Sequence, residues 1–400
     1  MASSKAVFNP LLPEFHADPY PFYRALREED PVHHSPLGIW VVTRYDDAIM
    51  VLRDPRFGRE GMAQMMESRL GATPGRPGYT NSMLFRDPPD HTRLRSLVNR
   101  AFTPRVVEGM RGHIQHIVDD LIDQTQGAHS MDVIADLAYP LPVTVISEML
   151  GVPAVDRDAF KQWSSDIARS LDAAILPAGS DVIARGQVAR AALGDYFRTL
   201  IATRRKNPRA DLLSNLIAAE EQGDKLSEEE LLATCVLLLI AGHETTVNLI
   251  GNGLFALLRH PAEFRALRDH PTLIATAVEE LLRYDGPVQR TGRMTMTDVE
   301  ISGTPIPKGS IVAAIIGAAN RDPAQFSDPE RLDVARRENR HIAFGFGIHF
   351  CLGAPLARVE GQIAIGTLLR RLPALELASA QPEWRESSVL RGLKALQVTF

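Results

Sequence analysis

The sequence predicts a mainly α-helical protein with a minor β portion, built as one interlocked domain over residues 1–400. Three observations carry this. Helical periodicity runs almost unbroken from Pro104 to about Arg283. One segment in that run, "LSEEELLATCVLLLIAGHETTVNLIGNGLFALLRHP", is apolar nearly all round in its middle and long enough for ~50 Å of helix at 1.5 Å per residue. Strand-like stretches are short and gather near the N-terminus, near Arg293 and at the C-terminus, with no repeat, low-complexity tract or long linker between.

In chain order, a short helix is expected from Pro21 to Glu29, then two short strands around "PVHHSPLGIWVVT" and a helix from Tyr45. Residues 58–90 carry Gly58, Gly61, Gly71, Pro74, Gly75, Pro77 and Gly78, which break any period; a loop this long is functional or disordered. The helical run that follows is interrupted at "GAHS", "GVPA", "LPAGS", "KNPRAD" and "EQGDK". Its long apolar helix starts with Ser227 as N-cap and Glu230 in the capping-box position, and stops at His260 before Pro261. Strands follow in "GRMTMTDVEISG" and "SIVAAII", then a Pro/Gly-punctuated stretch, a helix from just after Cys351 to about Arg371, and two short terminal strands.

Composition narrows the function classes. A net charge of −5 gives no global basic field for nucleic acid, and two cysteines form no disulfide framework, so a reducing compartment fits. The N-terminus lacks an apolar segment of signal-peptide length, and the longest apolar run, "CVLLLIAG", falls below the ~20 residues that span a bilayer. A cytoplasmic, monomeric protein without membrane attachment is expected.

"FGFGIHFCLG" places Cys351 behind two glycines and a histidine, at the head of a helix. A helix N-terminus stabilises a thiolate, and glycines let backbone approach a flat, bulky group. Such a thiolate is a metal ligand or a nucleophile. The polar cluster Gly242 to Thr246 in the middle of a buried apolar helix also demands a reason, because buried polar groups cost free energy unless paired. "HETTV" is not a zinc-protease motif, since position 247 is Val, and "GNGLFA" follows no strand. His113 and His116 read as an exposed helix face.

Taken together, these segments resemble the cytochrome P450 family. "FGFGIHFCLG" looks like its haem-binding loop, "EELLR" supplies Glu280 and Arg283 in its Glu-x-x-Arg pattern, and "AGHETT" looks like its oxygen-activation segment. "DPPDHTRLRSLVNRAFTP" resembles the helix at one haem edge in bacterial members. The resemblance implies a P450 fold with the long central helix over a buried haem b, and Cys351 as the axial thiolate ligand of the iron. It implies His91, Arg95, Arg293 and His349 as partners of the haem propionates, Phe344 packed near the thiolate, and Ala241 and Gly242 as small residues that leave room for oxygen. Glu244 and Thr245 match the acid–alcohol pair that relays protons, which points to a monooxygenase using O2. Glu280 and Arg283 take a structural role, completed by Arg331 or Arg336.

No flavin or iron–sulfur segment is present in the sequence, so the resemblance implies a separate ferredoxin and an NAD(P)H-dependent ferredoxin reductase. Arg93, Arg100 and Arg105 in or near the haem-edge helix form a candidate docking patch, with Arg93 and Arg100 on one side. The expected substrate is an apolar small molecule: a polyketide or macrolide, a terpenoid or steroid, or a fatty acyl chain, free or carried on acyl carrier protein. Substrate-contacting regions correspond to the Gly58–Pro88 loop with Met62, Met65 and Met66, to Trp163–Leu176, to Val288 and Gln289, and to the turn near Leu393. Arg59, Arg69 and Arg76 are candidates to meet a carboxylate. A haem protein that senses gas or binds ligand without turnover is the alternative, and the Glu244–Thr245 pair argues against it.

Overall fold

The computed structural model describes residues 6–70, 81–176, 180–221, 226–379 and 381–400. The fold is mainly helical with a minor β portion, and the chain forms two compact units. The first comprises Met1–Phe57, Val107–Leu141 and Thr245–Phe400; the second comprises Gly58–Val106 and Pro142–Glu244.

The strands are β1 (Val32–His34), β2 (Trp40–Val42), β3 (Phe57–Gly58), β4 (Ser130–Asp132), β5 (Arg290–Thr295), β6 (Val299–Ile301), β7 (Thr304–Ile306), β8 (Ile311–Ile315), β9 (Glu376–Leu377) and β10 (Gln397–Thr399). The main sheet runs β1-β2-β8-β5-β3, with β2 parallel to β8 and β5 antiparallel to it, Arg293 opposite Val312. β6 and β7 form a hairpin whose two turn residues, Ser302 and Gly303, have φ of 47° and 81°, as a two-residue hairpin of this type requires. The terminal strands form a second sheet of order β4-β10-β9. β4 begins at the last residue of the "GAHS" break and is not expected from the sequence. Three residues have too little periodicity to declare a strand until β10 pairs with them.

The helices of the first unit face the core at helical spacing. Ala277, Val278, Leu281 and Leu282 of Ile274–Asp285 are buried, and so are Tyr20, Tyr23 and Leu26 of Tyr20–Glu29. In the second unit the helices Arg157–Arg169 and Asp181–Lys206 pack together, burying Phe160, Ile167, Ala189, Leu193 and Phe197.

Residues 58–90 depart from the expected loop. Glu60–Leu70 is an eleven-residue helix with Met62 and Met66 buried one turn apart. Its segment "EGMAQMMESRL" is rich in strong helix formers, which outweigh the single glycine near the start. The Arg69 side chain and Arg76 lie outside the described residues.

The central helix spans Glu228–Arg259. The capping box is formed as expected: the Ser227 amide donates to Glu230 Oε2 at 2.9 Å, and the Glu230 amide donates to Ser227 Oγ at 3.2 Å. By length and composition this helix could cross a membrane, but 72% of its most apolar window is buried inside the protein.

Candidate active site

The loop before the helix Ala354–Arg371 is a chain of tight turns. The Gly345 amide donates to the Ile342 carbonyl, Phe350 to Gly347 and Cys351 to Phe344, the last at 2.9 Å. Gly345 and Gly347 have φ of 74° and 71°, where a side chain is strained. A Cβ at Gly347 would lie 2.7 Å from the Leu52 carbonyl oxygen. The sequence reading, that both glycines make room for a flat group, is therefore corrected: Gly347 makes room for neighbouring backbone. Cys351 is exposed, and neither it nor the buried Cys235 is in a disulfide. Beside it in the chain, Phe346, Ile348 and Phe350 are 37%, 50% and 41% exposed, three large apolar side chains within five residues. His349 is half-buried, and Arg293 on β5 is buried, with Nη1 donating to the Gly292 carbonyl at 2.9 Å.

Arg283 of the Glu-x-x-Arg pair is fully buried with five hydrogen bonds. Nε and Nη2 reach Glu280 at 2.7 and 2.8 Å, and the remaining contacts go to the carbonyls of Asn320, Pro329 and Arg331. The third member is Arg336, whose Nε lies 3.1 Å from Glu280 Oε2; Arg331 contributes only its backbone carbonyl. Gln289 is not presented to a ligand. Its amide donates to the Gly286 carbonyl, and its Oε1 occupies the space a Cβ at Gly317 would need.

The middle of the central helix is mostly buried. Leu237 and Thr245 are half-buried and Ala241 between them is exposed, at i, i+4 and i+8. Gly242 has a different task from the one its motif suggests: a Cβ there would lie 2.7 Å from Ile146 Cγ1, so the glycine admits a helix of its own unit. His243 is buried and its Nδ1–H donates to the Leu239 carbonyl at 2.6 Å. Glu244 is buried, with Oε1 3.8 Å from His243 Nε2.

In the second unit, His91 is buried and Arg95 half-buried, one turn apart on the helix Asp90–Asn99. Arg93 does not present an open cation. It reaches Asp90 at 3.0 Å and both oxygens of the capping-box residue Glu230, which tie its helix to the start of the central one. Arg93 is thereby removed from the docking patch, while Arg100 and Arg105 are exposed. Arg59 is buried, its guanidinium 5.8 Å from the Phe85 ring centroid.

Three features lie beyond the sequence reading: the Arg93–Glu230 link, the buried Glu360, and a charged cluster of Glu279, His341 and Arg358 beside Phe344. Glu279 adjoins Glu280 and Arg358 follows Cys351 by seven residues, which was the available signal for the cluster.

The cytochrome P450 family model matches residues 32–400. The chain belongs to the cytochrome P450 family. Polyketide biosynthesis cytochrome P450 PksS of Bacillus subtilis is 43% identical, over 99% of each chain. Cytochrome P450 monooxygenase PikC of Streptomyces venezuelae is 46% identical, over 97% of this chain and 92% of PikC. Among solved structures, P450BioI in complex with hexadec-9Z-enoic acid ligated acyl carrier protein has a TM-score of 0.88 at 41% identity, covering 97% of this chain and 99% of that one.

This P450 is thus an enzyme of the haem-thiolate class with haem b as its cofactor. The residues present fit that group. An exposed thiol stands among open apolar side chains, a buried cation lies on β5, and the small residue Ala241 is exposed on the central helix.

Proposed function

We propose that this P450 is a monooxygenase that inserts one oxygen atom from O2 into an apolar polyketide, macrolide or fatty acyl chain, free or carrier-bound. Electrons come from a separate ferredoxin and its NAD(P)H-dependent reductase, and residues 1–400 act as one cytoplasmic, monomeric domain. The names of PksS and of the P450BioI complex support the substrate classes. Haem b, when bound, supplies dioxygen activation and oxygen insertion.

The chain's own residues have distinct tasks in this reading. Cys351 holds the iron through its thiolate, whose charge the following helix N-terminus favours. Arg293, His349, His91 and Arg95 pair with the two propionates, Phe344 packs beside the thiolate, and Ala241 leaves space on the distal side. Thr245 holds a proton-bearing water with its hydroxyl, and Glu244 passes protons to that water from the protein side.

The observation that carries the proposal is the setting of the acid–alcohol pair: Thr245 is half-buried beside the exposed Ala241, one turn away, while the adjacent Glu244 is buried. The test measures product and hydrogen peroxide per NADPH in Thr245→Ala, with a substrate lacking its own hydroxyl. The expected result is retained haem, substrate binding and NADPH use, with reducing equivalents diverted to peroxide. Wild-type coupling would return Thr245 to a helix-bonded hydroxyl. A Soret-band screen of polyketides, steroids, terpenoids and fatty acids narrows the substrate.

A further inference from the structure

Glu279 stands next to Glu280 but serves a different cluster. Its Oε1 accepts from Arg358 Nε at 2.6 Å and its Oε2 from Arg358 Nη2 at 2.8 Å, a two-pronged carboxylate–guanidinium pair. His341 Nε2 donates to the same Oε2 at 3.0 Å. The Ala343 amide donates to His341 Nδ1 at 3.2 Å, which leaves the imidazole proton on Nε2, aimed at the carboxylate. Burial pushes the Glu279 carboxyl up, yet the hydrogen bonds from Arg358 and His341 hold it down at about 2, so it is anionic throughout the working range.

The cluster bears on the thiol loop through one ring. The Arg358 guanidinium lies 4.5 Å from the Phe344 ring centroid, where a cation is attracted to the aromatic face. The centroids of the His341 and Phe350 rings lie 6.1 and 6.2 Å from that of the same ring. Phe344 in turn accepts the Cys351 amide hydrogen through its carbonyl. A run of contacts therefore leads from the Glu279 carboxylate through Arg358 and Phe344 to the backbone of Cys351.

We propose that Glu279, His341 and Arg358 are positioning residues for the haem thiolate, holding Phe344 against the Cys351 loop and setting the reduction potential of the iron through the balance of their charges. This rests on the reading of Cys351 as the iron ligand. With the pair intact, the Arg358 charge is neutralised beside the ring. Removing the carboxylate leaves a net positive charge there, which favours the reduced, less positive iron. Removing the guanidinium leaves a net negative charge and does the reverse.

The experiment is a spectroelectrochemical titration of the haem-loaded full chain. Glu279→Gln should shift the ferric–ferrous equilibrium toward ferrous by about tenfold, which is 59 mV for one electron. Arg358→Gln should shift it the opposite way. The charge-balanced double variant, Glu279→Gln with Arg358→Gln, should return to within about twofold of wild type. A purely structural role predicts shifts of one sign, with the double variant the worst. Should either single variant fail to load haem, the double variant decides: a potential far from wild type overturns the proposal. The reduced carbon-monoxide spectrum separates the two readings. If the wild-type band lacks the thiolate position, or if Cys351→Ala keeps it, the ligand assignment falls and this proposal with it. A normal band with unmoved potentials, or potentials moved in one direction, overturns this proposal alone.

Discussion

Glu280 and Glu360 both have zero exposure in the same unit, yet they sit in opposite electrostatic settings. Glu280 accepts from Arg283 Nε and Nη2, Arg336 Nε, Asn339 Nδ2 and the Asp333 amide, all between 2.7 and 3.2 Å. Glu360, on the helix that follows Cys351, has no hydrogen bond of ordinary geometry to either oxygen among the described residues. Burial pushes its carboxyl up to about 8, and the Thr246 hydroxyl opposes this only in part. The difference teaches that burial alone does not decide the role of an acid. Glu280 is ringed by donors from four residues, whereas desolvation at Glu360 makes its neutral acid the stable form.

The largest expected effect breaks the first half of that comparison. Glu280→Gln keeps the shape but leaves Arg283, which is also wholly buried, without its anion. Breaking one partner of a buried pair costs roughly 3–5 kcal/mol, because the remaining charge is uncompensated. Thermal or urea unfolding should show this loss together with weaker haem retention. A cost below ~1 kcal/mol would mean that the three backbone carbonyls on Arg283 suffice without the carboxylate.

Glu360→Gln should do the opposite. The folded protein keeps the Glu360 proton up to about pH 8, while the unfolded chain loses it near the ordinary value of 4.5. Between those limits the unfolded state binds fewer protons, so wild-type stability falls as pH rises through the window and levels off above about 8. Gln cannot titrate. Relative to wild type, the variant should gain with pH, by up to about 4–5 kcal/mol at pH 8, and gain little near pH 4.5. Unfolding free energies at pH 5, 6.5 and 8 check this, and a difference that ignores pH would show that Glu360 is ionised in the folded protein.

How much of this was legible in the sequence follows from how local each cause is. The Glu280–Arg283 pair reads out directly, since residues three apart share a helix face. The choice of Arg336 over Arg331 does not, because it depends on which way the backbone turns between Pro329 and Arg336. Gly242 and Gly347 announced a close approach without saying to what; the answers are Ile146 and the Leu52 carbonyl. Arg93 looked like a docking cation because its helix face was counted alone, and its partner Glu230 lies 137 residues away. Glu360 sits in "LARVEGQIA", yet Val359, Gly361 and Ile363 around it are buried with it. The central helix, its capping box and the Cys351 loop were legible because each is written in consecutive residues.

The smallest effect sharpens the second half of the comparison. The Thr246 hydroxyl is the one group that lowers the Glu360 carboxyl, so Thr246→Val should push it further up while preserving volume. Up to about pH 8 both proteins hold the proton when folded, and the stability difference between them should be constant. Above that point wild type levels off and the variant keeps losing stability, by about 1 kcal/mol over the next pH unit. The same substitution in a Glu360→Gln background should show no such pH dependence, a cycle that isolates the pair from any general cost of losing the hydroxyl. A flat difference in both backgrounds would mean that Thr246 bonds its own helix and leaves Glu360 to desolvation alone. Product per NADPH should stay at the wild-type value in Thr246→Val. Thr246 is buried, unlike the half-buried Thr245 beside it, so its effect belongs to the core acid.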